Sequence, residues 1–219
     1  MTEIPDGAIL QRDDRTLAIV PRTPVGLVTP EQLEAIAAIA RRYEVPVLKI
    51  TSGQRIAMVG IEPERFEALR QQLKMELGRA VEPCVHYVQA CPGTQWCHFG
   101  VQDSIGLGLE LEQRLAGRPT PAKLKIGVSG CNFCCAESYL RDVGLIATKK
   151  GWDLTLGGNS GGRPRIGDVA AKHLPREVAI SMVEKFVTLY AEQGQQQKRS
   201  SKFVEKMGID WVKSELGLD

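Results

Sequence analysis

Along the first third of this chain, short apolar runs alternate with stretches in which apolar residues recur every three or four positions. Residues 16–20, TLAIV, form a β-prone apolar run that PRTPVG then breaks with two prolines and a glycine, which predicts a strand and a loop. In TPEQLEAIAAIARRY, Thr29 is placed to cap, Pro30 fits the first turn and Gln32 completes a capping box. Leu33, Ile36, Ala37 and Ala40 then fall on one face, so an amphipathic helix is predicted. VPVLKI and RIAMVG predict two strands joined by the turn TSGQ. PERFEALRQQL predicts a second helix, with Phe66, Leu69 and Leu73 at helical spacing. Strand, helix, strand, strand, helix is the order of a split βαβ layout, in which helices cover one face of an antiparallel sheet.

Beyond Gly78 the character changes, because the cysteines, most glycines and the densest polar loops lie there. A boundary near residue 79 is expected, giving domains 1–78 and 79–219. DSIGLGLELEQRL predicts a helix that Gly106 and Gly108 weaken by about 1 kcal/mol each relative to alanine. KLKIGVS predicts a strand running into Cys131, and VGLIAT with WDLTLGG predicts a hairpin with Lys149, Lys150 and Gly151 at its tip. PREVAISMVEKFVTLYAEQ predicts a helix with Val178, Met182, Phe186 and Leu189 on one side, and SKFVEKMG a shorter one. No internal repeat is evident. The fold class expected is α+β.

A chain of 219 residues can bury a sizeable core without covalent staples. A formal net charge of +2 is too small to argue for nucleic acid, so any basic site must be local. MTEIPDGAILQRDD has no basic segment followed by an apolar core, and no run approaches 18 apolar residues, so a cytoplasmic protein that does not engage a membrane is expected. In a reducing cytosol, thiols stay free or bind metal. The uneven spacing of Cys84, Cys91, Cys97, Cys131, Cys134 and Cys135 is unlike a secreted disulfide framework.

Four thiolates suit either zinc or an iron–sulfur cluster. Structural zinc takes close pairs separated by two to four residues, whereas Cys91 and Cys97 have five between them, and Cys131 pairs with Cys134 or with Cys135. Spacing alone favours a cluster, and leaves zinc and uncoordinated core cysteines open. CPGTQWC, 33 intervening residues and CNFCC together give C-x5-C and C-x3-C when Cys131 is taken with Cys135. That pattern resembles the 4Fe-4S and siroheme region of the sulfite and nitrite reductase family. TPEQLEAIAAIARRY with LKITSGQRIAMVGI resembles that family's ferredoxin-like half domain. The stretch from CPGTQWCHFGVQDSIGLGLELE through KLKIGVSGC to DVGLIATKKGWDLTLGGNSG resembles its cluster half, most of all the siroheme domain of NADH-dependent nitrite reductases. The size is similar to small single-repeat sulfite reductases.

The resemblance implies a ferredoxin-like half domain, then an α/β siroheme and iron–sulfur half domain with C-terminal helices. It implies that Cys91, Cys97, Cys131 and Cys135 ligate the cluster, with Cys135 also bridging to the siroheme iron. A shared thiolate would couple an electron store directly to the iron that binds substrate. Cys84 reads as a small buried hydrophobe, and Cys134 as a competing ligand at most. Siroheme carries carboxylates, and sulfite and nitrite are anions, so the site needs local Arg and Lys. Lys123 and Lys125 alternate along their strand and so share a face, which the resemblance places beside the distal ligand. Arg141, six residues past Cys135 or about one and two thirds helical turns, is expected as a basic cofactor or substrate contact, with a plain surface arginine as the alternative. Arg22 and Arg55 are similar to the anion-contacting arginines of the half domain, although here Gly53 stands where an arginine precedes the glutamine, and Arg55 follows Gln54. Thr94 and Gln95, with Asn159, Arg163 and Arg165 of the glycine-rich GGNSGGRPRIG, are the expected cofactor contacts. The function implied is six-electron reduction of sulfite, with nitrite reduction or a non-catalytic electron-transfer subunit as alternatives. No flavin or nicotinamide fingerprint is evident, so an external donor such as ferredoxin or another redox protein is expected. One repeat leaves a flank of the siroheme open for a homodimer or a partner to cover.

Overall fold

Thr29 accepts the amide of Gln32 on its side chain while Gln32 Oε1 accepts the amide of Thr29, and this reciprocal cap starts helix α1 (Pro30–Arg42). The computed structural model describes residues 4–79 and 81–218. The chain divides into two compact units after Val81. In the first unit, strands β1 (Ile9–Leu10), β2 (Leu17–Ile19), β3 (Val47–Ile50) and β4 (Ile56–Ile61) form an antiparallel sheet in the order β1-β2-β4-β3. α1 and helix α2 (Pro63–Leu73) supply the other half of its core: Ile36, Ile39 and Ala40 meet Phe66, Leu69 and Leu73 over Leu17, Ile19, Met58 and Ile61. Each large side chain so buried contributes about 1.5–3 kcal/mol.

Two expectations shift here. The buried stripe of α1 runs through Ile36, Ile39, Ala40 and the half-buried Tyr43, so Leu33 is 44% exposed, one turn too early to reach the core. β1 was not anticipated, because two residues are too few to show a period.

The second unit is built on a five-stranded sheet in the order β5 (Val85–Ala90), β6 (Leu124–Ser129), β7 (Val143–Thr148), β8 (Gly151–Leu156), β9 (Asp168–Leu174). β5, β6 and β7 are parallel; β8 and β9 return antiparallel. Between β5 and β6 lie the short helix α3 (Gly93–Trp96) and the longer α4 (Ser104–Leu115), which covers the sheet with Leu107, Leu111 and Leu115. Asp103 caps α4 by accepting the amide of Gly106, which offsets the glycine content of its first turn. Helices α5 (Arg176–Gln193), α6 (Ser200–Met207) and α7 (Ile209–Leu216) close the unit.

In α5 the buried side includes Ile180, Met182, Val183, Phe186 and Tyr190, while Val178 stays 39% exposed. Sequence pattern missed β5, β9 and α7. β5 is buried on both faces and carries His86 and Gln89 inside, so it shows no apolar alternation. Among the described residues no helix is long and apolar enough to cross a membrane.

Candidate functional site

Parallel strands deliver their carboxyl ends to one edge of the sheet, the usual place for a ligand in such folds. Cys91 follows β5 there, and Cys131 follows β6 after Gly130. The two cysteine loops meet backbone to backbone on glycines. A Cβ at Gly130 would come within 2.7 Å of Gly93 Cα and 2.9 Å of Ser104 Oγ, and one at Gly93 within 2.9 Å of the Gln102 carbonyl. Gly93 also needs φ +58, a left-handed backbone that glycine adopts freely. This closeness lets the Gly130 amide donate to Cys91 Sγ at 3.0 Å, while Ser104 Oγ donates to the Cys91 carbonyl at 2.7 Å. Cys97 ends α3, its amide donating to the Gly93 carbonyl at 2.9 Å.

All six cysteines are free thiols. Cys135 is the most exposed of the six. Partial burial, and then the nearby thiols of Cys91, Cys131, Cys97 and Cys134, push its pKa above the ordinary thiol value. The residues brought to this edge therefore fit an iron–sulfur cluster: soft sulfur donors only, one already accepting a backbone N–H of the kind that tunes such centres. A cluster takes each thiolate on a different iron. Cys84 stands apart, 3% exposed.

Beside Cys131 opens a pocket of about 360 Å³, lined by Phe99, Phe133, Asn132, Thr148 and Lys149 among others. Phe99 and Phe133 meet edge to face at 5.2 Å, and are 60% and 70% exposed, with Trp96 at 81%. Aromatic surface of this extent at the cysteine edge suits a large, partly apolar ligand. Thr94 and Gln95 are exposed in the same loop: the Thr94 amide donates to the Gln102 carbonyl, and Gln95 Nε2 to Asp103.

The basic residues are distributed differently from expectation. Lys123 precedes β6 rather than lying in it, and Lys125 is near its amino end, about 20 Å of extended chain from Cys131. The Lys125 ammonium sits 5.9 Å from the Tyr87 ring. Half-burial, then Arg199 and Arg141, lower its pKa, with Asp142 opposing them. Arg141 is neither on an α-helix past Cys135 nor at the surface. It follows the 3-10 turn Ser138–Leu140 and is 3% exposed. Its Nη2 donates to Gln89 Oε1 and to Glu137 Oε2, both at 2.6 Å, and its Nη1 to Tyr87 Oη at 3.3 Å.

In the glycine-rich loop, Asn159 Nδ2 donates to the Arg163 carbonyl and its Oδ1 accepts the amide of Gly161. Arg165 donates to the Gly157 carbonyl and pairs with Asp168. Asn159 and Arg165 thus shape the loop, and Arg163 is the exposed one of the three. In the first unit, Arg22 pairs with Glu76 at 3.0 Å, and the buried Arg55 donates to the Arg79 carbonyl at 2.8 Å.

Sequence reasoning missed one constellation. The fully buried Asp142 carboxylate accepts from Arg199, from Ser200 Oγ at 2.6 Å and from the Lys125 amide at 2.9 Å, tying α6 to the sheet. No local signal announces it, because Asp142 and Arg199 are 57 residues apart.

Residues 82–219 match the domain described as "Nitrite and sulphite reductase 4Fe-4S domain", and residues 9–76 the "Nitrite/Sulfite reductase ferredoxin-like half domain". The chain is 56% identical over 213 residues to a protein of Nitratidesulfovibrio vulgaris named "Sulfite reductase, assimilatory-type", covering 97% of this chain and 98% of that one. It is 40% identical over 206 residues to the nitrite reductase (NADH) large subunit of Escherichia coli, covering 92% of this chain and 24% of that longer relative. A solved dissimilatory sulfite reductase I has a similar fold, with a TM-score of 0.82 at 13% identity over 93% of this chain and 69% of that one.

Proposed function

Since the chain belongs to the nitrite and sulphite reductase family, we propose that it reduces sulfite to sulfide, using siroheme and a 4Fe-4S cluster supplied with electrons by a separate protein. The observation that carries this reading is the convergence of Cys91, Cys97, Cys131 and Cys135 at the carboxyl edge of the parallel strands. When bound, the cluster and siroheme would supply electron storage and an iron that accepts the anion.

The chain's own residues hold and surround that site. Cys91, Cys97, Cys131 and Cys135 would hold the cluster, and Cys135, the most exposed of them, is the thiol available to siroheme. Thr94, Gln95 and Arg163 would hold the siroheme periphery, while Asn159 and Arg165 keep the glycine-rich loop in shape. Lys123 and Lys125, standing back from the cysteine edge, raise the local anion concentration through their field rather than by contact. Sulfite takes up six electrons, and its three oxygens leave as water with protons that the basic residues help deliver. Nitrite is the second substrate this site would take, because the likeness to a nitrite reductase large subunit runs over 92% of the chain.

Purified protein tests the reading. A heme Soret band with charge-transfer absorption, and about four irons per cluster plus one for siroheme, is the expected result. Turnover of sulfite above nitrite with a reduced viologen would fix the substrate. A colourless zinc protein would overturn the reading, and a brown protein without heme would reduce it to an electron carrier.

A further inference from the structure

β6 and β7 are parallel neighbours, so the chain must cross back over the sheet between Gly130 and Asp142. A crossover of this kind normally uses an α-helix, which supports itself. This one has a single 3-10 turn, Ser138–Leu140, and it carries Cys131, Cys134 and Cys135. Cys134 (φ 56) and Glu137 (φ 53) are left-handed without being glycine, a state that persists only where the surroundings enforce it. Cys135 lies between them.

The enforcement comes from below. Ser129 Oγ of β6 accepts the amide of Ala136 at 3.2 Å, and the Glu137 amide donates to the Cys134 carbonyl at 2.8 Å. Arg141 then joins Glu137 Oε2 to Gln89 and Tyr87 of β5. The floor beneath has no side chain, since a Cβ at Gly127 would come within 2.8 Å of both the Ala136 carbonyl and Arg141 Cγ.

We propose that Arg141 is a positioning residue for the Cys135 thiol: acting through Glu137, it locks the left-handed turn that presents Cys135 and references it to β5. A substrate contact would need terminal N–H groups turned toward an open site. Here both terminal nitrogens are engaged by protein, and only the buried Nε lacks a partner among the described residues. The proposal rests on the reading of Cys135 as a cluster ligand. It adds that the geometry of this ligand is set by a charged pair in its own crossover, which Gln89 and Tyr87 anchor to β5.

The test uses the loaded protein and the variants Glu137→Gln, Arg141→Lys and Arg141→Met. Readouts are the cluster's reduction potential, the electron paramagnetic resonance of the reduced centre, and KM for sulfite. Glu137→Gln and Arg141→Met should shift the potential and the resonance in the same direction, Arg141→Lys should restore most of the signal, and KM should stay within about twofold. A KM raised about tenfold or more in Arg141→Met, with Glu137→Gln like wild type, would assign Arg141 to the anion and overturn the proposal. Unchanged potential and resonance in both variants would also overturn it. Should Arg141→Met fail to fold, Glu137→Gln decides alone, because the Glu137 side chain is 55% exposed and its replacement is tolerated, and a wild-type potential there sinks the idea. Wild-type protein lacking the cluster's spectrum would overturn the underlying reading, and this proposal with it.

Discussion

Lys125 is a base whose proton the fold works against. Loss of hydration lowers its pKa, and the charges of Arg199, Arg141 and Lys123 add to the effect, while Asp142 partly opposes it. A lowered pKa means that the ammonium is lost at a lower pH than in a free lysine, and the ammonium is the form that attracts anions. The kcat/KM for sulfite should therefore fall on an alkaline limb below the ordinary lysine range of about 10.4. Lys125→Arg should move that limb upward in a pH profile, and an unmoved limb would assign it to another group. The sign for stability is opposite: a base with a depressed folded pKa is a cost while protonated, so Lys125→Met should leave the thermal midpoint at neutral pH unchanged or higher. At this scale the cysteine spacing was readable in the chain, because ligand spacing is a local property. The partners of Arg141 were not, since Gln89 lies 52 residues away and reaches it only through the pairing of β5 with β6.

Gly127 shows how an element constrains the site. Its backbone lies in an ordinary strand, so alanine is allowed by φ, yet the added carbon would press on the Ala136 carbonyl and Arg141 Cγ at 2.8 Å. Gly127→Ala should cost about 1–3 kcal/mol in a urea titration, and should lower iron content in protein whose circular dichroism is retained. Asp142 holds a different junction. Replacing it by alanine strips the acceptor from Arg199, Ser200 and the Lys125 amide together, and should lower stability by about 3–5 kcal/mol in the same titration. Helical spacing of apolar residues made α1, α2 and α5 legible in the chain, with a capping box marking the start of α1. β5 was opaque because a strand buried on both faces can carry His86 and Gln89 wherever a partner waits: His86 Nε2 lies 2.7 Å from the Glu82 carbonyl, and Gln89 takes Arg141. The buried Glu112 of α4 accepts the amide of Val88, so a side chain serves a backbone donor of this edge strand.

For the whole molecule, the two units should respond differently to loss of the cluster. A ligand that binds only the folded form stabilises it by mass action, so removing iron should weaken the unit whose loops it ties. Amide exchange in β5, β6 and β7 should quicken on iron removal, while β2 and β4 keep wild-type protection. Equal quickening in both units would show that the cluster supports more than residues 82–218. The sequence by itself determined the local grammar of this protein: the capped helix α1, the hairpin of β7 and β8, and the C-x5-C and C-x3-C spacing of four cysteines. Each depends on residues a few positions apart. Only the tertiary structure decided which distant charges meet, placing Arg141 under the cysteine loop and Asp142 against Arg199, and setting Lys125 at the far end of the strand from Cys131. The reason is that strand order and crossover path, not spacing along the chain, decide which side chains share a face.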